Sequence, residues 1–78
     1  MSLTDRLAAY FRQRPNTWID AHALVPIAGF AAWRTRLSEL RKPPYAMVIE
    51  NRTHRDRANQ ITRSEYRFVP AGQAELLQ

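Results

Sequence analysis

Five prolines divide this 78-residue chain into short segments, and they limit its fold more than any other feature. Proline lacks a backbone N–H and has a fixed φ, so it ends or interrupts helices. Pro15 and the pair Pro43-Pro44 each follow a stretch of helical spacing, and Pro26 interrupts another. The longest apolar run, residues 23–28, is far shorter than the ~20 residues that a membrane span needs. The pattern therefore predicts a fold of short elements and no contact with a membrane.

The length and the absence of cysteine narrow the class of protein further. Seventy-eight residues suffice for one small domain, which we expect over residues 1–70, with residues 71–78 as a flexible tail. Hydrophobic residues make up 45% of the chain, so a core can form without disulfides. A chain without cysteine or a signal-peptide pattern is expected in the reducing cytoplasm.

Two helices are predicted in the first third of the chain. The spacing of Leu3, Leu7 and Phe11 predicts a helix from residue 3 to 14, with Ser2 or Thr4 as its N-cap. Asp20 is placed to cap a second, short helix over residues 21–25, and Pro26 to Gly29 are expected to form a tight turn. The large β-forming pair Trp18-Ile19, just before this helix, predicts a very short strand.

A third helix is predicted over residues 30–42 and has the clearest periodicity. At about 100° per residue, one stripe is apolar and faces the core; it consists of Phe30, Trp33, Leu37 and Leu40. The opposite face is predominantly small and polar, and it consists of Ala31, Ala32, Thr35, Ser38, Glu39 and Lys42. The flanks hold Arg34, Arg36 and Arg41.

A long, basic hairpin is predicted after the double proline. Residues 45–51 and 64–69 alternate in the manner of strands, so that Met47 and Ile49 share one face and Tyr66 and Phe68 another. Residues 52–63 between them carry four arginines and no glycine or proline, so the strands can extend into this segment.

The net charge of +5 lies entirely within the third helix and the hairpin. Residues 34–67 hold nine basic and four acidic side chains, and the rest of the chain is balanced. Eleven of the twelve basic residues are arginines, whose planar guanidinium groups suit phosphates and base edges. This distribution favours a nucleic acid as the partner.

The order of these elements resembles the winged helix-turn-helix family, in particular the small stand-alone proteins of bacteria and their phages. The residues that carry the resemblance are Trp18-Ile19-Asp20, the turn Ile27-Ala28-Gly29-Phe30, the helix from Ala32 to Lys42 and the strand Tyr66-Arg67-Phe68. The resemblance implies an α+β, mostly α fold, with three helices, a short strand and a C-terminal two-stranded hairpin, the wing, over about residues 46–69.

The resemblance also implies double-stranded DNA binding, with the third helix in the major groove and the wing on the phosphate backbone or in the minor groove. Independently, a helix that enters the major groove needs small residues near the bases and longer donors beside them. The predicted DNA-contacting residues are Arg34, Thr35, Arg36, Ser38, Arg41, Lys42, Arg52, Arg55, Arg57 and Arg63. The expected role is a small transcriptional regulator or a phage control protein, acting as a homodimer or beside a second DNA-bound protein.

Other interpretations remain open. The arginines of the third helix could be a solvated flank, with Arg41 capping the helix end. Trp33 and Trp18 are assigned to the core rather than to base stacking. A winged helix can also be a protein-interaction adaptor without DNA binding, although an adaptor needs no basic surplus. Non-specific DNA binding is a third possibility.

Catalysis and cofactors are not expected. No serine or threonine has a recognisable base, and two glycines cannot form a phosphate-cradling loop. His22 and His54 are far apart in the chain and have no cysteine beside them, so no metal site is predicted.

Overall fold

A computed structural model describes residues 2–70, so the predicted tail, residues 71–78, lies outside the described residues. The described chain forms an α+β fold of three helices and one three-stranded antiparallel sheet. In chain order the elements are α1 (Leu3–Arg12), β1 (Ile19–Asp20), α2 (Ala21–Ala28), α3 (Trp33–Leu40), β2 (Val48–Arg55) and β3 (Ile61–Val69). Between residues 2 and 70, no helix combines the length and apolar character that crossing a bilayer requires.

Helix α1 begins at the predicted cap and ends two residues early. The Ser2 hydroxyl accepts a hydrogen bond from the Asp5 N–H at 3.0 Å, which satisfies a donor that the helix itself leaves free. Leu7 and Phe11 are fully buried, as their spacing predicts. The Thr4 hydroxyl donates to Glu39 Oε2 at 2.7 Å and joins α1 to α3.

Helix α2 begins at its predicted cap, because Asp20 Oδ1 accepts from the His22 N–H at 2.8 Å. The prediction of a turn over residues 26–29 is wrong: the helix continues through Pro26 to Ala28. Pro26 removes only one backbone hydrogen-bond donor from the helix. The continued helix buries Ala28 completely, at 0% exposure, and this burial favours it. Gly29 ends the helix with φ at +96°, and its N–H donates to the Val25 carbonyl at 2.7 Å.

Helix α3 begins at Trp33, three residues later than predicted, and ends at Leu40 rather than residue 42. Residues 30–32 form a turn, so the helical periodicity that assigns Phe30 to the core does not apply to it. Phe30 is 82% exposed, which makes its assignment to the apolar stripe wrong. Leu37 and Leu40 are buried, and the half-buried Trp33 packs edge-to-face on Tyr66, with ring centroids 6.0 Å apart.

The predicted short strand and the predicted hairpin form a single sheet, which therefore has three strands rather than the two of the predicted hairpin. The strand order is β1-β3-β2, with Ile19 opposite Tyr66 in one pair and Ile49 opposite Phe68 in the other. By joining the sheet, β1 places Ile19, at 6% exposure, on the inner face against the core. Both hairpin strands extend beyond their predicted ends toward the tip, which spans residues 56–60.

The core lies between the helices and the inner face of the sheet. Its buried members are Leu7, Ala8, Phe11, Ile19, Leu24, Ala28, Leu37, Leu40, Met47 and Ile49. Trp33, Tyr66 and Phe68 pack against this cluster from its edge, which agrees with the assignment of Trp33 to the core and with the shared face of Tyr66 and Phe68. Trp18 does not belong to the cluster, which makes its assignment to the core wrong. Successive residues of an extended segment point to opposite faces of a sheet. Because Ile19 is buried on the inner face, Trp18 lies on the outer one.

Candidate nucleic-acid interface

The solvent-facing side of α3 carries the small polar residues that the helical spacing predicts. Thr35 and Ser38 are exposed on it, and Lys42 is exposed just beyond its end. Arg34 is also exposed, and its guanidinium lies 5.0 Å from the centre of the Trp33 ring. Ala32 caps the helix without a side-chain hydrogen bond, so the first N–H groups of α3 receive no side-chain acceptor from their cap.

Arg36 has a different position from its neighbour Arg34. Its Nε donates to the Ala28 carbonyl oxygen at 2.6 Å, in a half-buried position. That carbonyl belongs to the last turn of α2, where helical carbonyls lack a partner. Arg36 therefore fastens the end of α2 to α3, and its guanidinium has a use within the fold.

Arg41 also bonds within the fold. Its Nε and Nη2 donate to the Ile49 carbonyl oxygen at 3.2 and 2.9 Å, which fastens the end of α3 to β2. The residue occupies the C-cap position of α3. The sequence leaves a capping role and a DNA role open for Arg41, and these contacts favour the structural one.

The outer face of the sheet, turned away from the helices, neutralises several arginines of the hairpin. One oxygen of Glu65 lies 3.0 Å from Arg52 Nε, 2.6 Å from His54 Nε2 and 3.7 Å from Arg63 Nε. Hydrogen bonds from Arg52 and His54 hold the pKa of Glu65 below its usual value. Two of the predicted contact residues, Arg52 and Arg63, thus share an acidic partner.

Trp18 lies between two arginines on this outer face. The guanidinium carbons of Arg52 and Arg67 are 4.1 and 4.7 Å from the centre of its ring. Arg67 is also paired with Glu50 across the β2–β3 ladder. These contacts explain why Trp18 is half-buried without belonging to the core. Only the cross-strand register of the sheet could have revealed this arrangement.

Two exposed arginines lie at the end of β2 and in the hairpin tip, Arg55 and Arg57. Arg55 Nη1 donates to the Asn59 carbonyl oxygen at 2.9 Å, and Arg57 is exposed. The tip is ordered by Asp56, whose Oδ1 accepts from the N–H groups of Ala58 and Gln60 at 2.9 and 3.0 Å. Neither arginine forms an ion pair within residues 2–70.

An open cleft of about 340 Å³ lies between α2, α3 and the first residues of β3. It is lined by Ala21, His22, Val25, Trp33, Arg34 and residues 61–64. The cleft places Arg34 beside the first residues of β3. The start of α3 and the base of the hairpin tip therefore border one concave surface, although they are far apart in sequence.

The ten predicted contact residues fall into two groups. Those whose guanidinium groups bond within the fold are Arg36, Arg41, Arg52, Arg55 and Arg63. Those exposed and outside these bonds are Arg34, Thr35, Ser38, Lys42 and Arg57. Arginines occur in both groups, so only the contacts tell which arginines are engaged.

Each of the two histidines contacts a carboxylate. The hydrogen bond from the His22 N–H lowers the pKa of Asp20, and so does the contact of His22 Nδ1 with Asp20 Oδ1 at 2.9 Å. His54 contacts Glu65. No group of three or more potential metal ligands occurs among residues 2–70.

Comparisons of the chain with protein-family models, with curated proteins and with solved structures found no match.

Proposed function

We propose that this chain is a winged helix-turn-helix protein that binds double-stranded DNA. In this proposal α3 enters the major groove and the β2–β3 hairpin is the wing that contacts the adjacent backbone. The observation that carries the proposal is the cleft where Arg34 of α3 meets residues 61–64 of the hairpin. The cleft brings Arg34 of α3 and the start of β3 to one concave surface, which supports contact of both elements with the same duplex.

The order of the elements supports the same proposal. A short strand between α1 and α2 pairs with the last strand of a hairpin that follows α3. This is the order that the family resemblance implies, with the helices on one face of a small antiparallel sheet. A bacterial or phage regulator of this kind acts in the cytoplasm, where the DNA lies.

The contacts within the fold suggest different roles for the individual basic and polar residues. We assign Arg34, Thr35 and Ser38 to base edges, since they are exposed on α3 and free of ion pairs in the described chain. Arg and small hydroxyl side chains are common major-groove readers. Arg36 and Arg41 hold α3 in place rather than touching bases. The phosphate contacts fall to Lys42, Arg55 and Arg57.

A single domain of this size buries about 600–1,000 Å² on DNA, which limits its specificity. We therefore propose that it acts as a homodimer or next to a second DNA-bound protein.

One observation favours a different function, that of a protein-interaction adaptor. Phe30, Val48 and Ile61 are large hydrophobic side chains with exposed fractions of 82%, 45% and 55%. An adaptor uses such side chains to bind its partner. The basic surplus of the third helix and hairpin gives the DNA proposal greater support.

The test is an amide chemical-shift titration with a random-sequence duplex at two salt concentrations. We expect shifts at residues 33–42 and 52–63 that weaken as salt rises, because phosphate contacts release counterions. Arg34→Ala should reduce affinity, whereas Arg12→Ala, an exposed arginine of α1, is the matched control and should change it little. An unchanged spectrum at low salt would rule out DNA and favour the adaptor.

A further inference from the structure

Phe30 is the most exposed of the large hydrophobic side chains in the described chain, at 82%. Its position in the sequence, three residues before Trp33, would bury it if α3 began there. The turn over residues 30–32 instead directs it into solvent, where an apolar ring is unfavourable. A bound partner that covers the ring would remove this cost.

The end of α2, just before Phe30, is held by two hydrogen bonds. The Gly29 N–H donates to the Val25 carbonyl at 2.7 Å and ends α2. Arg36 Nε, from α3, donates to the Ala28 carbonyl at 2.6 Å. Gly29 also packs near Leu3, since a Cβ at Gly29 would lie 3.4 Å from Leu3 Cδ1. The position of Phe30 is thus set by the fold.

The sequence neighbours of Phe30 are small or basic rather than apolar. Gly29 and Ala31 flank it, and the exposed Arg34 follows four residues later, within the first turn of α3. Protein-binding surfaces have a contiguous apolar centre, which these neighbours do not supply. A single apolar side chain can instead contact a single apolar group. The major groove presents such a group, the 5-methyl group of thymine, and phenylalanine is one of the side chains that contact it.

We propose that Phe30 packs against the 5-methyl group of one thymine in the major groove and selects thymine at that position. The inference rests on the proposed DNA binding by α3, and it adds a specificity-determining residue that sequence periodicity assigns to the core. Arg34 reads the neighbouring nucleotide, since Phe30 and Arg34 are both exposed at the start of α3.

Uracil is the matched probe, because it differs from thymine only by the absent methyl group. A binding site is first selected from a random duplex library with the unaltered protein. Each thymine of that site is then replaced singly by uracil, and Kd is measured by fluorescence anisotropy at one salt concentration. The unaltered protein should lose about fourfold in affinity at one position, which is the factor for one buried methyl group.

Phe30→Ala should bind the thymine and uracil duplexes equally, and Phe30→Leu should retain part of the preference. Because the ring is exposed, we expect Phe30→Ala to unfold at the same temperature as the unaltered protein. Val48→Ala removes an exposed apolar side chain from β2 and is the matched control, which should keep the full preference for thymine.

Two results overturn the inference while leaving DNA binding intact. In the first, the unaltered protein selects no thymine or does not distinguish thymine from uracil at any position. In the second, Phe30→Ala keeps the distinction. Failure of the unaltered protein to bind any duplex in a salt-dependent manner would overturn the proposed function as well.

Discussion

Arg34 and Arg36 lie on the same short helix, but their guanidinium groups have different environments. Arg34 is exposed beside Trp33, whereas Arg36 bonds to the last carbonyl of α2. An arginine that satisfies a helix-end carbonyl contributes to folding, and an exposed arginine is available to a ligand. The two residues therefore allow stability and binding to be separated experimentally.

We expect Arg36→Ala to lower the free energy of unfolding by about 1.5–3 kcal/mol, the range for hydrogen bonds to charged groups. The Ala28 carbonyl would lose its partner at the junction of α2 and α3. Arg34→Ala should change the free energy of unfolding by less than about 0.5 kcal/mol, as is usual for an exposed site. Urea denaturation of both variants measures the difference, and equal effects would contradict these roles.

Glu65 provides a prediction of pH dependence. Its pKa is lowered in the folded state by hydrogen bonds from Arg52 and His54 and by the nearby charges of Arg52 and Arg63. A carboxyl with a lowered pKa stabilises the fold above its unfolded pKa, about 4.3, and this contribution is lost as the pH falls through the folded pKa.

The unaltered protein should therefore melt at a higher temperature than Glu65→Gln at pH 7, and the difference should shrink toward zero at about pH 2. Thermal unfolding followed by circular dichroism at both pH values is the measurement. Added salt should also reduce the difference, because the cluster is partly exposed to solvent. A difference independent of pH would show that the Glu65 charge does not stabilise the sheet.

The junction between α2 and α3 depends on one backbone conformation. Gly29 has φ at +96° and ψ at 137°, a combination that residues with a Cβ rarely adopt. It lets the chain leave α2 and present residues 30–32 before α3 begins. The length of α3, the exposure of Phe30 and the bond from Arg36 all follow from this turn.

We expect Gly29→Ala to destabilise the protein by about 1–3 kcal/mol because of backbone strain. Space is not the cause, since the added Cβ would meet Leu3 Cδ1 at an ordinary contact distance of 3.4 Å. Gly29→Asn should be equally unfavourable, because asparagine tolerates the left-handed helical region, with ψ near +47°, and not this one. Chemical denaturation tests both variants, and a tolerated alanine would mean that the turn relaxes.

Across the whole molecule, the positive charge is arranged in compensated and uncompensated parts. Arg67 is paired with Glu50 on the outer face of the sheet, while Arg57 at the hairpin tip is exposed without an ion pair in the described chain. A charge that already has an acidic partner releases fewer counterions when DNA binds. The two arginines should therefore contribute differently to the salt dependence of binding.

Arg57→Ala should reduce the slope of log K against log salt concentration by about 0.9, the value for one phosphate contact on duplex DNA. Arg67→Ala is the comparison and should leave the slope nearly unchanged. Affinities measured at four or more salt concentrations supply both slopes, and circular dichroism verifies that each variant is folded. Equal slopes for the two variants would place Arg67 in the DNA contact or remove Arg57 from it.

Local patterns in the sequence were sufficient for much of the fold. Hydrogen-bonding groups within a few residues indicate the caps, which are Ser2 and Asp20. Spacing within a few residues indicates the shared face of Tyr66 and Phe68 and the buried positions, which are Leu7, Phe11, Leu37 and Leu40. Such features depend on neighbours in the chain, so they can be predicted without knowledge of the fold. The predicted basic surface and its DNA partner remain a proposal.

Tertiary contacts decided the remaining features of the fold, because those features depend on residues that are distant in sequence. Pro26 stays helical since Ala28 gains burial, and Phe30 is exposed since Gly29 redirects the chain. Trp18 lies outside the core and contacts Arg52 and Arg67. These arginines are close to it because β1 and β2 both pair with β3. The sequence by itself determined how many basic groups this protein has and where its short elements lie. Only the tertiary structure decided which of those groups are bonded within the fold, because carbonyls and carboxylates are brought to them by the packing of separate elements.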